Sequence, residues 1–186
     1  MRLHLVRHAA PEGLEGVCYG GTDLSVPASR QRELLARLLP RLPGGLPVFS
    51  SPMKRCADLA AALAAALKSA PPTLDGRLRE MAFGTWEMQR WDDIPQAEVD
   101  AWNADLLDYR PGGGDSVRDV AARVVSFCED LRRRRGEAAV ICHAGTIRLL
   151  TRWKPGRSVA DIALEAARTP HRIAYGEVQM LDLDKA

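Results

Sequence analysis

Arg7 and His8 stand side by side at the end of an apolar run, Leu3-His4-Leu5-Val6. A second histidine, His143, follows Ala138-Ala139-Val140-Ile141-Cys142 and precedes Ala144-Gly145-Thr146. Both runs read as buried strands, and the second passes directly into a helical pattern. In an open α/β sheet, ligands bind beyond the carboxyl ends of the strands, so histidines released at two such ends converge although they lie far apart in sequence. Two imidazoles and a guanidinium gathered there suit chemistry on an anion.

The elements that must position these side chains alternate. After the opening strand comes a glycine-containing loop over 11–27, then a helix over 28–42 with Leu34, Leu35, Leu38 and Leu39 on one side. Residues 46–50 form a short strand, and Ser51-Pro52 opens an alanine-rich helix to about residue 68, with the proline suited to its first turn. Lys54 and Arg55 therefore sit in a first helical turn beside another strand end. The stretch 75–89 is irregular, 92–107 holds a short, weakly patterned helix, and together they read as a cover over the sheet edge. Gly112-Gly113-Gly114 then forms a loop, and Asp115 or Ser116 caps a helix running to about residue 135. A strand over 138–142, a helix over 145–153 and a last strand over 177–183 complete the order. Such alternation predicts an α/β fold, a three-layer αβα sandwich with a mainly parallel central sheet. Residues 1–186 read as one domain with a cover segment at about 75–115.

Composition narrows the partners. Twenty-six basic residues against 24 acidic ones leave a net charge of +2, with no global basic surface of the kind that nucleic-acid binders show. The one basic run, Arg132-Arg133-Arg134-Arg135, falls where cations offset a helix dipole. Cys18, Cys56, Cys128 and Cys142 have neither CxxC nor metal-type spacing, so four free thiols in a reducing compartment are expected. The start resembles no signal peptide and no apolar run reaches membrane-spanning length, which predicts a cytoplasmic protein with no membrane partner. Neither a metal site nor a cofactor is expected, and the chain is expected to be a monomer or homodimer.

A resemblance narrows the chemistry. Leu5-Val6-Arg7-His8, Ser50-Ser51-Pro52-Met53-Lys54-Arg55-Cys56, Leu78-Arg79-Glu80, Phe83-Gly84-Thr85-Trp86-Glu87 and Cys142-His143-Ala144-Gly145-Thr146-Ile147-Arg148 together resemble the histidine phosphatase superfamily, in the family's order and over most of the chain. The resemblance implies the phosphoglycerate mutase-like fold. Within the superfamily, Cys18-Tyr19-Gly20-Gly21-Thr22-Asp23-Leu24, Met81-Ala82-Phe83-Gly84-Thr85-Trp86-Glu87-Met88 and Ala174-Tyr175-Gly176-Glu177-Val178 look most like the α-ribazole phosphatases of cobalamin biosynthesis. That similarity implies hydrolysis of a small-molecule phosphomonoester, α-ribazole 5′-phosphate or the phosphorylated cobalamin carrying it. A broad sugar-phosphate or nucleotide phosphatase and a mutase share the same chemistry. A phospho-ligand-binding module without catalysis is the alternative from another class.

Phosphoryl transfer needs an in-line nucleophile, cations around the peripheral oxygens and a proton for the leaving alkoxide. His8 is the expected nucleophile, Arg7 and Arg55 the expected forked donors, and protonated His143 a further charge-assisted donor. Glu80 is the candidate acid, with Glu87 as a rival carboxylate. His4 and His171 are expected to be structural or solvated, and Lys54, Arg79 and Arg148 to be surface or pairing residues. The chain departs from the common family pattern just after His8, reading Ala9-Ala10-Pro11-Glu12-Gly13 where members carry further phosphate contacts. Thr22 is the candidate replacement. Trp86, Trp91 and Trp102 are expected to form a small core, a stacking wall for an aromatic ligand, or both.

Overall fold

The computed structural model describes residues 1–170 and 172–185. Its sheet has the order β3-β2-β4-β1-β5. β1 (Arg2–Arg7), β2 (Val48–Ser50), β3 (Thr73–Leu74) and β4 (Glu137–Cys142) run parallel, and β5 (Val178–Asp182) pairs antiparallel with β1 at one edge. The central strands are buried on both faces. Leu3, Leu5, Ala138, Val140 and Cys142 pack toward α4 (Val117–Arg132), α5 (Ala144–Leu150) and α6 (Val159–Arg168), whereas Val6, Ala139 and Ile141 pack toward α1 (Ala28–Leu38) and α2 (Lys54–Ala66). That split follows the two-residue period of a strand and produces the three layers expected from the sequence.

Register sets the site. Arg7 pairs with Cys142 across β1 and β4, so His8 and His143 leave adjacent strands at the same level. Ser50 pairs with Ile141, which brings the chain entering α2 to that level as well. The helix boundaries depart locally from expectation. The first helix stops at Leu38, before Pro40, and continues as a single 3-10 turn. Pro52 lies outside α2, which starts at Lys54 with Met53 as its N-cap. Ser116 caps α4 in a reciprocal box with Asp119, and α4 ends at Arg132, leaving the rest of the arginine run beyond it. Helix α6 and the two-residue β3 were not expected. Ser158 caps α6 through the Asp161 amide, and Ile162, Ala163 and Ala166 bury one face of it. No helix among the described residues is long and apolar enough to cross a membrane.

Between β3 and α4 the chain makes four short 3-10 turns and α3 (Gln96–Ala104). Gly84 and Gly112 explain how this segment seats. Both have positive φ, and a Cβ on Gly84 would meet the Gly112 carbonyl oxygen at 2.0 Å, so the two backbones approach as only glycines allow. Asp115 fastens the same junction: its amide donates to the Ala82 carbonyl and its carboxylate accepts from the Ala82 amide. The Gly113-Gly114-Asp115-Ser116 stretch thus holds the cover to α4 and caps that helix.

Candidate active site

His8 is buried at the end of β1. Its Nδ1 lies 2.8 Å from the Ala9 carbonyl oxygen, which accepts a hydrogen only from a protonated Nδ1. The bond therefore assigns the tautomer and leaves the Nε2 lone pair free. Burial, reinforced by Arg55 and Arg7 and opposed by the Ala9 bond, lowers the His8 pKa from 6.5 to about 3. A neutral imidazole with a free nitrogen is the form in which histidine is a nucleophile.

The His143 ring lies 5.1 Å from that of His8. Arg55 Nε donates to His143 Nδ1 at 3.2 Å, so Nε2 carries the hydrogen and donates to Ser51 Oγ at 2.9 Å. Burial, His8, Arg55 and Arg7 all push its pKa well below the ordinary value. For the anion-free site the expectation of a protonated His143 is corrected. Between two guanidiniums and away from water, the ring is neutral, with both nitrogens occupied. Ser51, which fixes one of them, carried no signal beyond its place in the Ser50 to Cys56 block.

Arg55 has no exposed surface, and its Nη1 and Nη2 each donate one hydrogen, to the carbonyls of Thr22 at 2.7 Å and Gly20 at 2.6 Å. The loop over 18–23 thus holds the guanidinium, and Asp23 caps the amide of Lys54 at 2.7 Å. Arg7 donates to the Ile173 carbonyl and lies flat over the Tyr175 ring, 3.6 Å from its centroid. Its Nε is buried and has no protein partner.

The two carboxylates separate cleanly. Glu80 lines the same cavity as His8, Arg55 and His143, and accepts from the amides of Gly145 at 2.9 Å and Met81 at 3.1 Å. Gly145 permits the approach, since a Cβ there would meet Glu80 Oε1 at 2.4 Å. Glu87 instead accepts from the amides of Gly20, Gly21, Thr22 and Phe83 and from the Thr22 hydroxyl. Burial opposes its charge, but these donors prevail and hold its pKa below the usual range. It ties the 18–23 loop to the cover. The Thr22 expectation is also corrected: its hydroxyl is committed to Glu87 at 2.6 Å, and the side chain does not line the cavity.

The other residues singled out in the sequence lie outside this cluster. His4 pairs with Glu137, Lys54 and Arg79 are exposed, and Arg148 reaches the cavity edge while donating to the last carbonyls of α6. His171 lies outside the described residues. The four cysteines are free and buried; Cys56 rests against the His143 ring, and burial raises its pKa beyond any reactive range.

From the imidazoles the cavity extends through about 710 Å³ to a wall formed by Phe83, Trp91 and Trp102. Phe83 meets both tryptophans edge to face, with centroids 5.6 and 6.0 Å away. The tryptophans take different roles. Trp86 is buried with Cys18 and Ile94 and donates to Glu98, Trp102 packs on two core clusters, and Trp91 is 40% exposed.

Paired imidazoles and guanidiniums at the strand ends of an αβα sandwich define an anion-handling α/β site. The chain belongs to the histidine phosphatase superfamily (branch 1), whose family model matches residues 3–174. It is 29% identical over 153 residues to putative phosphoserine phosphatase 2 of Hydrogenobacter thermophilus, covering 78% of this chain and 74% of that one. To the adenosylcobalamin/alpha-ribazole phosphatase of Escherichia coli it is 28% identical over 158 residues, covering 81% and 77%. The crystal structure of the alpha-ribazole phosphatase from Shigella flexneri shares the fold with a TM-score of 0.78 at 24% identity, over 98% of this chain and 90% of that one. Longer mycobacterial proteins also match, and the chain spans 44% of their length.

Proposed function

We propose that the protein is a metal-independent phosphomonoesterase that forms a phosphohistidine on His8 and acts on α-ribazole 5′-phosphate or the corresponding cobalamin 5′-phosphate. His8 Nε2 attacks phosphorus in line, the bond to the ester oxygen breaks, and the departing alkoxide takes a proton from Glu80. Water, deprotonated by Glu80, then attacks the phosphohistidine and releases inorganic phosphate and neutral His8. Arg7 and Arg55 supply forked donors for the peripheral oxygens and the positive charge that a metal provides in other phosphatases. Arrival of a phosphate dianion reverses the local potential. Arg55 Nε turns from His143 to a phosphate oxygen, and the freed His143 Nδ1 takes a proton from solvent water, which its surroundings otherwise oppose.

The observation that carries the substrate reading is the continuity of the cavity from the two imidazoles to the Phe83, Trp91 and Trp102 wall. Phosphoserine is small for a cavity of about 710 Å³, whereas a benzimidazole riboside places its flat apolar ring against the aromatics. The test is kcat/KM for α-ribazole 5′-phosphate beside phosphoserine, 3-phosphoglycerate, mononucleotides and sugar phosphates, with EDTA present throughout. Specificity is differential transition-state binding, so a preference of about tenfold or more for the ribazole ester is expected. Equal rates would replace this substrate with a broad set, and activity that needs added Mg²⁺ or Zn²⁺ would remove the metal-independent mechanism.

A further inference from the structure

The segment after His8 offers the cavity no side-chain donor: it reads Ala9, Ala10, Pro11. Thr22 is occupied by Glu87. Among the described residues that line the cavity, the only hydroxyls belong to Tyr19 and Tyr175. They come from loops 156 positions apart, yet their oxygens lie 2.6 Å from each other. Each ring accompanies one of the two arginines that flank the imidazoles: Tyr175 lies beneath Arg7 at 3.6 Å, and the Tyr19 ring centroid is 5.6 Å from the Arg55 guanidinium carbon. The Tyr175 ring is also 5.6 Å from that of His8.

Glycines fix both tyrosines in place. Gly20 packs so closely on the cover that a Cβ would come 1.9 Å from the Met81 carbonyl oxygen. Gly176 turns with φ +73° and lies against Leu34. The sequence announces this arrangement only as two separate Tyr-Gly pairs.

Two hydroxyls at this distance consume one hydrogen in the bond between them and retain one for an outside acceptor. The hydroxyl that accepts is polarised, which strengthens its own donation. Resting on the reading that the cavity holds a phosphoryl group, we propose that the Tyr19–Tyr175 hydroxyl pair is a phosphate-binding element. It donates its free hydrogen to a peripheral phosphate oxygen and fills the gap left by residues 9–11. Burial and the bond to Tyr175 raise the Tyr19 pKa, so its hydroxyl keeps its hydrogen at neutral pH. The Tyr175 ring meanwhile holds the Arg7 guanidinium flat beside the same oxygens.

The test is titration calorimetry of vanadate and inorganic phosphate on wild type, Tyr19→Phe, Tyr175→Phe and the double variant. Removing the outer hydroxyl should weaken vanadate binding about tenfold, the usual scale for a hydrogen bond to a charged group. Removing the inner one, which acts only by polarising its partner, should cost about two- to threefold. The double variant should bind no more weakly than the weaker single, because the pair acts as a unit. Wild-type affinity in all three variants would overturn the proposal, as would losses that multiply in the double. A lower melting temperature with unchanged anion affinity would also overturn it by leaving the pair only a structural role. If one single variant fails to fold, the other still reads the pair. Anion binding needs no turnover, so this outcome is independent of the proposed reaction: a chain without phosphohistidine can retain the tyrosine contact, and an active one can lack it.

Discussion

At one end of the cavity, His8 and His143 leave the ends of paired strands and Arg55 stands in the first turn of α2, each buried by the sheet and its helices. At the distal end, Trp91 and Trp102 stand on a single 3-10 turn and on α3, a nine-residue helix with no fully buried residue. The first set is held by sheet register. The second is fastened by the small cluster of Cys18, Trp86 and Ile94, on which Trp102 packs, and by polar contacts around Glu87, Asp115 and the close glycines. Under the proposed function, the chemical step inherits the rigidity of the core, while the surface proposed to select the leaving group is attached to it and free to differ without disturbing His8.

This contrast breaks if a change at one end acts like a change at the other. The largest effect expected short of losing the nucleophile is at Glu80. An alkoxide needs a proton in the transition state, whereas nitrophenolate leaves without one, so Glu80→Gln should lose on the order of a hundredfold in kcat/KM with an alkyl phosphate and far less with p-nitrophenyl phosphate. Glu87→Gln should lower the melting temperature and reduce both activities in parallel, since it removes a structural hub. Equal losses for both substrates in Glu80→Gln would take the acid role from Glu80.

A smaller effect of opposite selectivity is expected at the distal wall. Trp91 is the clean site, being partly exposed where Trp102 is integrated into the core. Trp91→Ala should lower kcat/KM for α-ribazole 5′-phosphate about tenfold, the scale of one base stacked on an aromatic side chain, and leave p-nitrophenyl phosphate nearly unchanged. Equal effects on both would mean that the wall does not select.

The smallest effect is on stability. His8 and His143 have folded-state pKa values below the unfolded value of 6.5, to about 3 for His8. The unfolded chain therefore binds more protons below pH 6.5, and stability present above that pH is lost as pH falls toward the folded values. Between pH 6.5 and 5 the melting temperature should decline, and the decline should be shallower in His8→Asn. Identical slopes would show that His8 is not held neutral. Below that window the lowered carboxylates, Glu87 and Asp75 among them, add losses of the same sign.

The same contrast governs what could be read from the sequence. The strands bearing Arg7, His8 and His143 announced themselves because apolar runs buried on both faces have few other interpretations, and their polar ends are then conspicuous. Helix α6 was missed although it is amphipathic and capped by Ser158, and β3 is too short to leave a pattern. Glu80 and Glu87 look alike in sequence. Only the fold directs one into the cavity and surrounds the other with five donors. Thr22 failed for the same reason, since a loop hydroxyl can face either way and Glu87 offered the stronger acceptor. Tyr19 and Tyr175 meet through tertiary structure alone, and the burial of His143 beside His8, Arg55 and Arg7, which lowers its pKa, is likewise set only by the fold.

The most direct measurement is capture of the phosphoenzyme. Mixing wild type with substrate labelled at phosphorus, quenching without acid and separating the protein should yield a label stable in base and labile in acid, absent from His8→Ala. A label that survives acid, or one that persists in His8→Ala, would contradict a phosphohistidine at the end of β1.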